Sequence, residues 1–374
     1  MKSILVTGAD GFIGKNLRVA LGRRKDVEVL AHDLGNPPGD LESMAARADW
    51  VFHLAGVNRP KDPSEFVAGN VEFTRKLCDL LAGGGRKPKL AFASTIQAAL
   101  DNPYGISKKG AEEAVFSYGR KTGAAVHVFR LPNVFGKWCR PNYNSAVATF
   151  CHNVARGLPI QINNPQGQLR LIHVEDVVSA FLSLLDGHAP EKDGDFCVAR
   201  PVFDTTVGRA AELIRSFAES RRDLHLPDMA DDFVRKLYST YISYLPETDF
   251  AYSLNKREDP RGALAEFIKS RHIGQLFVST TRPGIVRGNH YHDTKVEKFM
   301  VISGQAVIRF EHILTGARVD VPVSGSEFRV VDIPPGYTHH IENVGSADLV
   351  VLFWADELFD EKAPDTYFRE VRRG

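Results

Sequence analysis

Tyr104 and Lys108 stand four residues apart in the segment NPYGISKKG, a spacing that puts both side chains on one face of a helix. A phenol ionises near pH 10 and is a poor proton donor or acceptor at neutrality, but an ammonium beside it favours the phenolate. Such a pair can shuttle the proton that accompanies hydride transfer at a sugar carbonyl. Tyr-x-x-x-Lys also occurs on many solvated helices, so its position decides. Just upstream, KLAFAST reads as a strand ending in Ser94 and Thr95, where a hydroxyl could hydrogen-bond the carbonyl oxygen being reduced.

A second group suits a dinucleotide. Gly8, Gly11 and Gly14, with Phe12 and Ile13 between the last two, form G-x-x-G-x-x-G at a strand-to-helix junction. Without a Cβ the backbone can turn tightly and approach a pyrophosphate, whose charge is then met by helix N-terminal amides. Turn glycines also serve such junctions with no ligand, so a second sign is needed. Asp33 supplies it: it follows VEVLAH, about 20 residues beyond the loop, where an acid accepts from ribose hydroxyls and repels a 2′-phosphate. That favours NAD over NADP, although Arg23 and Arg24 are close in sequence and a plain capping role for Asp33 stays open. The third apolar run ends in Leu54, Ala55 and Gly56, small enough to let backbone pass a cofactor.

A third group suits a metal. His290, His292 and Glu297 lie within G-x5-H-x-H-x4-E-x6-G, and His339 within P-x-G-x2-H-x3-N. Histidines two apart on a strand share a side, so three imidazoles and one carboxylate can converge. That donor set suits zinc first, then iron, nickel or manganese. Tyr291, Lys298 and His340 adjoin these positions and are candidate bases, with plain rim residues as the alternative.

The elements that must position these groups fall into two textures. Up to about Arg130 short apolar runs (ILVTG, WVFHLAG, KLAFAST) alternate with amphipathic segments, which implies βαβ units on a doubly wound parallel sheet. Helical segments continue to about Tyr244. From Asp249 many short strands (KFMVIS, QAVIRFEHI, DLVVLFWA) follow between turn residues, an all-β unit closed as a barrel or jelly roll. The boundary is expected at 245, giving domains 1–245 and 246–374.

Composition restricts the partners. With 47 Lys and Arg against 46 Asp and Glu the formal charge is +1, which gives no bulk reason to expect nucleic acid or a membrane surface. No apolar run approaches the roughly 20 residues that span a bilayer. The N-terminus lacks the pattern of a signal peptide, and the four cysteines, Cys78, Cys139, Cys151 and Cys197, show no metal-type spacing. Reduced thiols in the cytoplasm are the expectation.

The first domain resembles the extended short-chain dehydrogenase/reductases, the group of nucleotide-sugar epimerases, dehydratases and reductases. The glycine loop, HLAG, Asn70 in GNVEFTRKL, the Ser-Thr strand end, Tyr104 and Lys108, R-x-P-N-x-F-G at 130–136 and RLIHVEDVV at 170–178 occur in the family's order. The resemblance implies Thr95 as the hydroxyl partner, Asn70 and Ser94 beside the cofactor, Pro132 and Asn133 lining the nicotinamide, and the stretch 173–176 bracing the site. Ile96-Gln97-Ala98 departs from the usual V-Y-G. The region 249–371 resembles the cupins, and Arg261, Gly262, Glu266, Gln275, Arg287 and His290 resemble the deoxysugar 3,5-epimerase branch, in which the R-G-x-H histidine is a base; here that histidine is also a ligand position, and ligand is the expected role. The whole chain resembles bifunctional capsular polysaccharide enzymes of the UDP-N-acetyl-L-fucosamine precursor pathway. That implies a UDP-linked 4-keto-6-deoxy amino sugar as partner, C3 epimerisation in the cupin, C4 reduction by NAD(P)H to UDP-N-acetyl-L-talosamine, and a homodimer or higher homo-oligomer. The alternative is a single-activity reductase whose cupin only binds sugar or dimerises.

Overall fold

The computed structural model describes residues 1–254, 257–259, 262–264, 268, 274–357 and 362–372; Arg261 and Glu266 lie outside them. The chain forms two compact units, Met1–Ser145 with Gln168–Thr205, and Ala146–Gly167 with Thr206–Gly374.

The first unit runs β1 (Lys2–Thr7), α1 (Phe12–Gly22), β2 (Val27–His32), α2 (Asp40–Arg47), β3 (Trp50–His53), a short α3 (Ser64–Phe66), α4 (Phe73–Gly83), β4 (Lys89–Thr95), α5 (Pro103–Thr122), β5 (Val126–Leu131) and β6 (Asn133–Phe135). After α6 (Ala146–Val154), which belongs to the other unit, it resumes with β7 (Gln168–His173), α7 (Val174–Leu185), β8 (Lys192–Asp193), β9 (Phe196–Cys197) and β10 (Phe203–Thr206). The main sheet has the order β2-β1-β3-β4-β5-β9-β8, and β1 to β5 pair in parallel. Its strands are near-continuous apolar runs because helices cover both faces. On one face Ile4, Val6 and Phe52 pack with Leu17 of α1 and Phe181 of α7. On the other Leu5, Val51 and Phe92 pack with Leu41, Leu77 and Val115 of α2, α4 and α5. Since β2 and β3 flank β1 on opposite sides, the chain leaves β1 at a topological switch point, where ligands of such sheets bind.

The second unit continues with α8 (Val207–Asp223), α9 (Asp232–Ile242), β11 (Ala251–Ser253), β12 (Arg257–Asp259), β13 (Gly262–Leu264), β14 (Gln275–Thr281), β15 (Val286–Tyr291), β16 (Glu297–Ser303), β17 (Gln305–His312), β18 (Arg318–Ser324), β19 (Arg329–Ile333), β20 (Tyr337–Asn343), β21 (Leu349–Ala355) and β22 (Tyr367–Phe368). Two five-stranded antiparallel sheets result, β11-β19-β16-β21-β14 and β18-β17-β20-β15-β22, with Phe299, Phe310 and Phe353 among the buried rings. A single cut at 245 does not reproduce this division, because α6, α8 and α9 group with the β region. Polar contacts within the unit explain it. The Lys298 ammonium on β16 pairs with Asp332 on β19, and Arg221 on α8 reaches Asp332 at 3.5 Å while lying 4.7 Å over the Tyr252 ring. Gln275 lies on β14, paired with Ala355.

Two candidate catalytic centres

The glycine loop sits at the end of β1. Gly8 has φ +68°, and a Cβ there would stand 2.6 Å from the Ala55 amide; one on Gly14 would stand 2.1 Å from the Gly8 carbonyl oxygen. Both positions therefore admit only glycine, and Leu54, Ala55 and Gly56 are brought against the loop. Gly11 caps α1 with no side-chain hydrogen bond and no acid follows in the first turn, so Phe12 and Ile13 open a helix whose N-terminal amides face no carboxylate of their own. Asp33 accepts from the Asp10 amide and the Leu34 amide, both at 2.8 Å. It braces the loop with one oxygen, which narrows what it can offer a ribose.

Tyr104 is set by local chemistry. The Asn102 side chain accepts from the Gly105 amide at 2.8 Å and Pro103 occupies the first turn, a favoured helix start. Gly105 lets α5 approach closely, since a Cβ would stand 2.3 Å from the Gln97 carbonyl oxygen. One turn on, Lys108 is 5 % exposed and donates to the Ala93 carbonyl at 2.9 Å, with its ammonium 4.2 Å from the centre of the Phe92 ring. Burial pulls the Lys108 ammonium down to about 8, opposed by Glu112, and pushes the Tyr104 phenol up to about 12. A Cβ on Gly56 would meet the Asn70 carboxamide oxygen at 2.8 Å and the Lys108 ammonium at 3.7 Å, so Gly56, Asn70 and Lys108 converge. Asn70 lies on a wide turn, Val67–Glu72, and donates to Val57 and to Ser107, whose hydroxyl donates to the Tyr104 carbonyl. Tyr104 packs on Phe66 at 5.7 Å between ring centres.

Thr95 and Ser94 diverge, as neighbours on a strand must. Thr95 accepts from the Gln97 amide at 3.2 Å, which leaves its hydroxyl proton for an acceptor. Ser94 donates to Glu112 at 2.5 Å, and Glu112 takes a two-pronged pair from Arg130 at 3.0 and 2.7 Å. Its hydroxyl thus ties β4 to α5, and a direct cofactor contact for it is not what the geometry favours. Glu112 and Arg130 were not read as partners in the sequence; Glu112, four residues after Lys108 on α5, was the available signal. Pro132 and Asn133 follow Leu131, which pairs with Thr95, so they reach the same sheet end. The brace expected at 173–176 includes buried His173, 5.2 Å from the Phe135 ring, and Glu175, paired with the buried Lys137.

In the second unit β15 carries His290, with His292 just beyond it; β16 opens on Glu297 and β20 carries His339. Their donor atoms lie within 4.8 Å of one another. Glu297 approaches His292 Nε2 at 3.3 Å and His339 Nε2 at 3.5 Å, and both nitrogens are buried without a hydrogen bond. Burial lowers His290 to about 3 and also lowers His339; it opposes ionisation of Glu297, but His292 overrides it and holds the carboxyl well below its ordinary range. Burial opposes a charge on His292 as well, but the Glu297 carboxylate overrides it and raises that imidazole, so a charged pair sits between two imidazoles favoured neutral; a divalent ion would bind there in exchange for the His292 proton. The three neighbouring candidate bases point away, because strand side chains alternate. Tyr291 packs on Tyr367, Lys298 is held by Asp332, and His340 meets the Asn289 side chain at 2.9 Å. Arg287 donates to Ser279 at 3.2 Å.

A glycine loop at a parallel-sheet switch point, with a buried lysine one turn from a tyrosine, defines a dinucleotide-binding domain of the short-chain dehydrogenase kind, here joined to an antiparallel β region with a metal-type donor set. The NAD dependent epimerase/dehydratase family matches residues 4–199 and the polysaccharide biosynthesis C-terminal domain matches 257–367. A UDP-2-acetamido-2,6-beta-L-arabino-hexul-4-ose reductase of Pseudomonas aeruginosa is 45% identical over 371 residues, 99% of either chain. The crystal structure of the capsular polysaccharide assembling protein CapF from Staphylococcus aureus aligns with TM-score 0.68 and 43% identity over 99% of this chain and 100% of that one. A CapF structure with the inhibitor 3-isopropenyl-tropolone aligns at 0.64 and 40%, again over 99% and 100%. The chain belongs to the NAD dependent epimerase/dehydratase family, in the two-part branch that carries the polysaccharide biosynthesis C-terminal domain.

Proposed function

We propose that the chain reduces the C4 ketone of a UDP-linked 2-acetamido-2,6-dideoxy-4-keto-hexose, and that its C-terminal region, a cupin, first epimerises C3, so that the product is UDP-N-acetyl-L-talosamine. The observation that carries the reductase reading is the convergence of Tyr104, Lys108, Gly56 and Asn70 at the sheet end beside the glycine loop. The end-to-end relative named a hexul-4-ose reductase supports the substrate class. NADH or NADPH supplies the hydride when bound. Tyr104, held protonated by burial, donates its phenolic proton to the C4 oxygen as that oxygen gains charge. The Lys108 ammonium stabilises the phenolate left behind, and Thr95 donates its hydroxyl proton to the same carbonyl oxygen. The reductase is assigned to residues within 1–245 and the epimerase to residues within 246–374, a functional division that leaves α6, α8 and α9 packed with the β region.

In the second region His290, His292, Glu297 and His339 would hold one divalent ion, zinc first. The fit rests on the buried, unbonded nitrogens of His292 and His339 beside Glu297. The inhibitor in the CapF structure, a tropolone with adjacent oxygen donors, is of a chelating class. Such an ion would supply Lewis acidity for a carbonyl and its enolate. A specific observation favours the rival reading, a cupin that only binds sugar or dimerises: among the described residues, Tyr291, Lys298 and His340 all turn from the cage.

Incubation of the 4-keto sugar nucleotide in D2O without dinucleotide separates the two. Deuterium at C3 is expected, and its absence sinks the epimerase. Tyr104→Phe should remove nearly all NAD(P)H turnover while leaving dinucleotide binding and C3 exchange intact; an unchanged rate refutes the reductase assignment.

A further inference from the structure

Residues 365–369 touch all three histidine-bearing segments. The Asp365 carbonyl accepts from His292 Nδ1 at 2.5 Å. A carbonyl can only accept, so Nδ1 carries a proton, and Nε2 is the nitrogen turned toward Glu297, 3.3 Å away. The Asp365 carboxylate gathers the turn after His292: it accepts from the Asp293 amide at 2.8 Å, the Thr294 amide at 2.8 Å, the Thr294 hydroxyl at 2.9 Å and the Lys295 amide at 2.7 Å. That turn leads directly into Glu297. Lys295 in turn donates to the Thr366 hydroxyl at 2.7 Å. Tyr367 and Phe368 pair with Tyr291 and His290 across β22 and β15. The Arg369 amide donates to Asn289 at 2.8 Å, and the Arg369 carbonyl accepts from the Thr338 hydroxyl beside His339.

We propose that this C-terminal segment is a strap that sets the histidine cage, with Asp365 as its positioning residue; the inference rests on reading His290, His292, Glu297 and His339 as metal ligands. One carboxylate fixes the length and direction of the turn joining two ligands, and the adjoining carbonyl fixes the tautomer of the first. Neither atom belongs to the set of four that would hold the ion. A partner of this kind orients a ligand imidazole and raises its basicity. An amide in place of the carboxylate would lose the charge and present a donor to backbone N–H groups.

The test uses the full-length apoprotein titrated with Co(II), read by competition with a chromogenic chelator and by visible ligand-field bands. Wild type should bind one equivalent, and His292→Ala should lose tight binding. Asp365→Asn should bind Co(II) roughly 10- to 100-fold more weakly. Its bands should be shifted even at saturating metal, while dinucleotide binding and far-UV circular dichroism stay as in wild type. Asp365→Glu, which restores the charge, should recover part of the affinity. Thr294→Val removes one of the four donors and should weaken binding about 2- to 5-fold; it carries the test if Asp365→Asn does not fold, and an unchanged affinity there overturns the strap. Wild-type affinity and bands in Asp365→Asn, with His292→Ala still deficient, overturn the strap but leave the ligand set standing. No Co(II) binding by wild type overturns the ligand set itself.

Discussion

Lys108→Met should remove catalysis without weakening the fold, because the wild-type ammonium is held at a cost in stability. The side chain is 5 % exposed, and burial lowers its ionisation from 10.5 to about 8. That gap corresponds to roughly 3 kcal/mol against the charged form at neutral pH. Against it stand the hydrogen bond to the Ala93 carbonyl, worth about 1 to 1.5 kcal/mol, and the contact with the Phe92 ring, worth about 1 kcal/mol. Methionine keeps the apolar stem, so at pH 7 the variant should equal wild type or exceed it by about 1 kcal/mol. The sign with pH is distinctive. A lysine whose folded pKa is depressed binds fewer protons folded than unfolded between about pH 8 and 10.5, so wild-type stability rises through that window. The variant lacks this rise, and the difference between the two should move by about 2 kcal/mol in favour of wild type from pH 7 to 9.5. Hydrogen exchange of peptides covering β4, read by mass spectrometry and corrected for intrinsic rates, reports this unit separately from the other. A variant more than 2 kcal/mol less stable at pH 7, or a difference independent of pH, would refute the buried-ammonium account.

Gly14→Ala should weaken dinucleotide binding roughly 10- to 100-fold by calorimetry, since the new Cβ would stand 2.1 Å from the Gly8 carbonyl oxygen; full affinity would remove the loop as the pyrophosphate cradle. Asp332→Asn leaves the fully buried Lys298 without its anion and should cost about 3 to 5 kcal/mol in urea unfolding, whereas Lys298→Met with Asp332→Leu should recover only part of it, because Arg221 still lacks its anion there. A loss under 1 kcal/mol in the single variant counts against that buried pair as a tie between β16 and β19. Asp33→Ser should raise kcat/KM with NADPH relative to NADH about tenfold, because it removes an anion facing a 2′-phosphate; an unchanged ratio would show that Asp33 serves only the Asp10 amide.

Much of both centres was legible in the sequence because it depends on short-range geometry. Glycines at intervals of three, a tyrosine and lysine one helical turn apart, histidines two apart on a strand, and apolar runs bounded by turn residues each express a local repeat that holds in any tertiary setting. The family resemblance extended that reading to Asn70, Thr95 and Asn133, which no local repeat distinguishes. Lys298 and His340, offered by the sequence as candidate bases, turn from the cage in the structure, because neighbours on a strand face opposite sides.

Tertiary structure alone decided the rest. Ser94 looked equivalent to Thr95 until Glu112 and Arg130 claimed it, and α6, α8 and α9 read as part of the parallel-sheet domain until Arg221 and Tyr252 met Asp332 and Lys298. Asp365 is separated from His292 by 73 positions, and nothing in its own neighbourhood marks it. The physical reason is common to all three. Local repeats decide which face of an element a side chain occupies, but which buried polar groups satisfy one another is settled only when distant segments close together and every donor and acceptor excluded from water must find a partner.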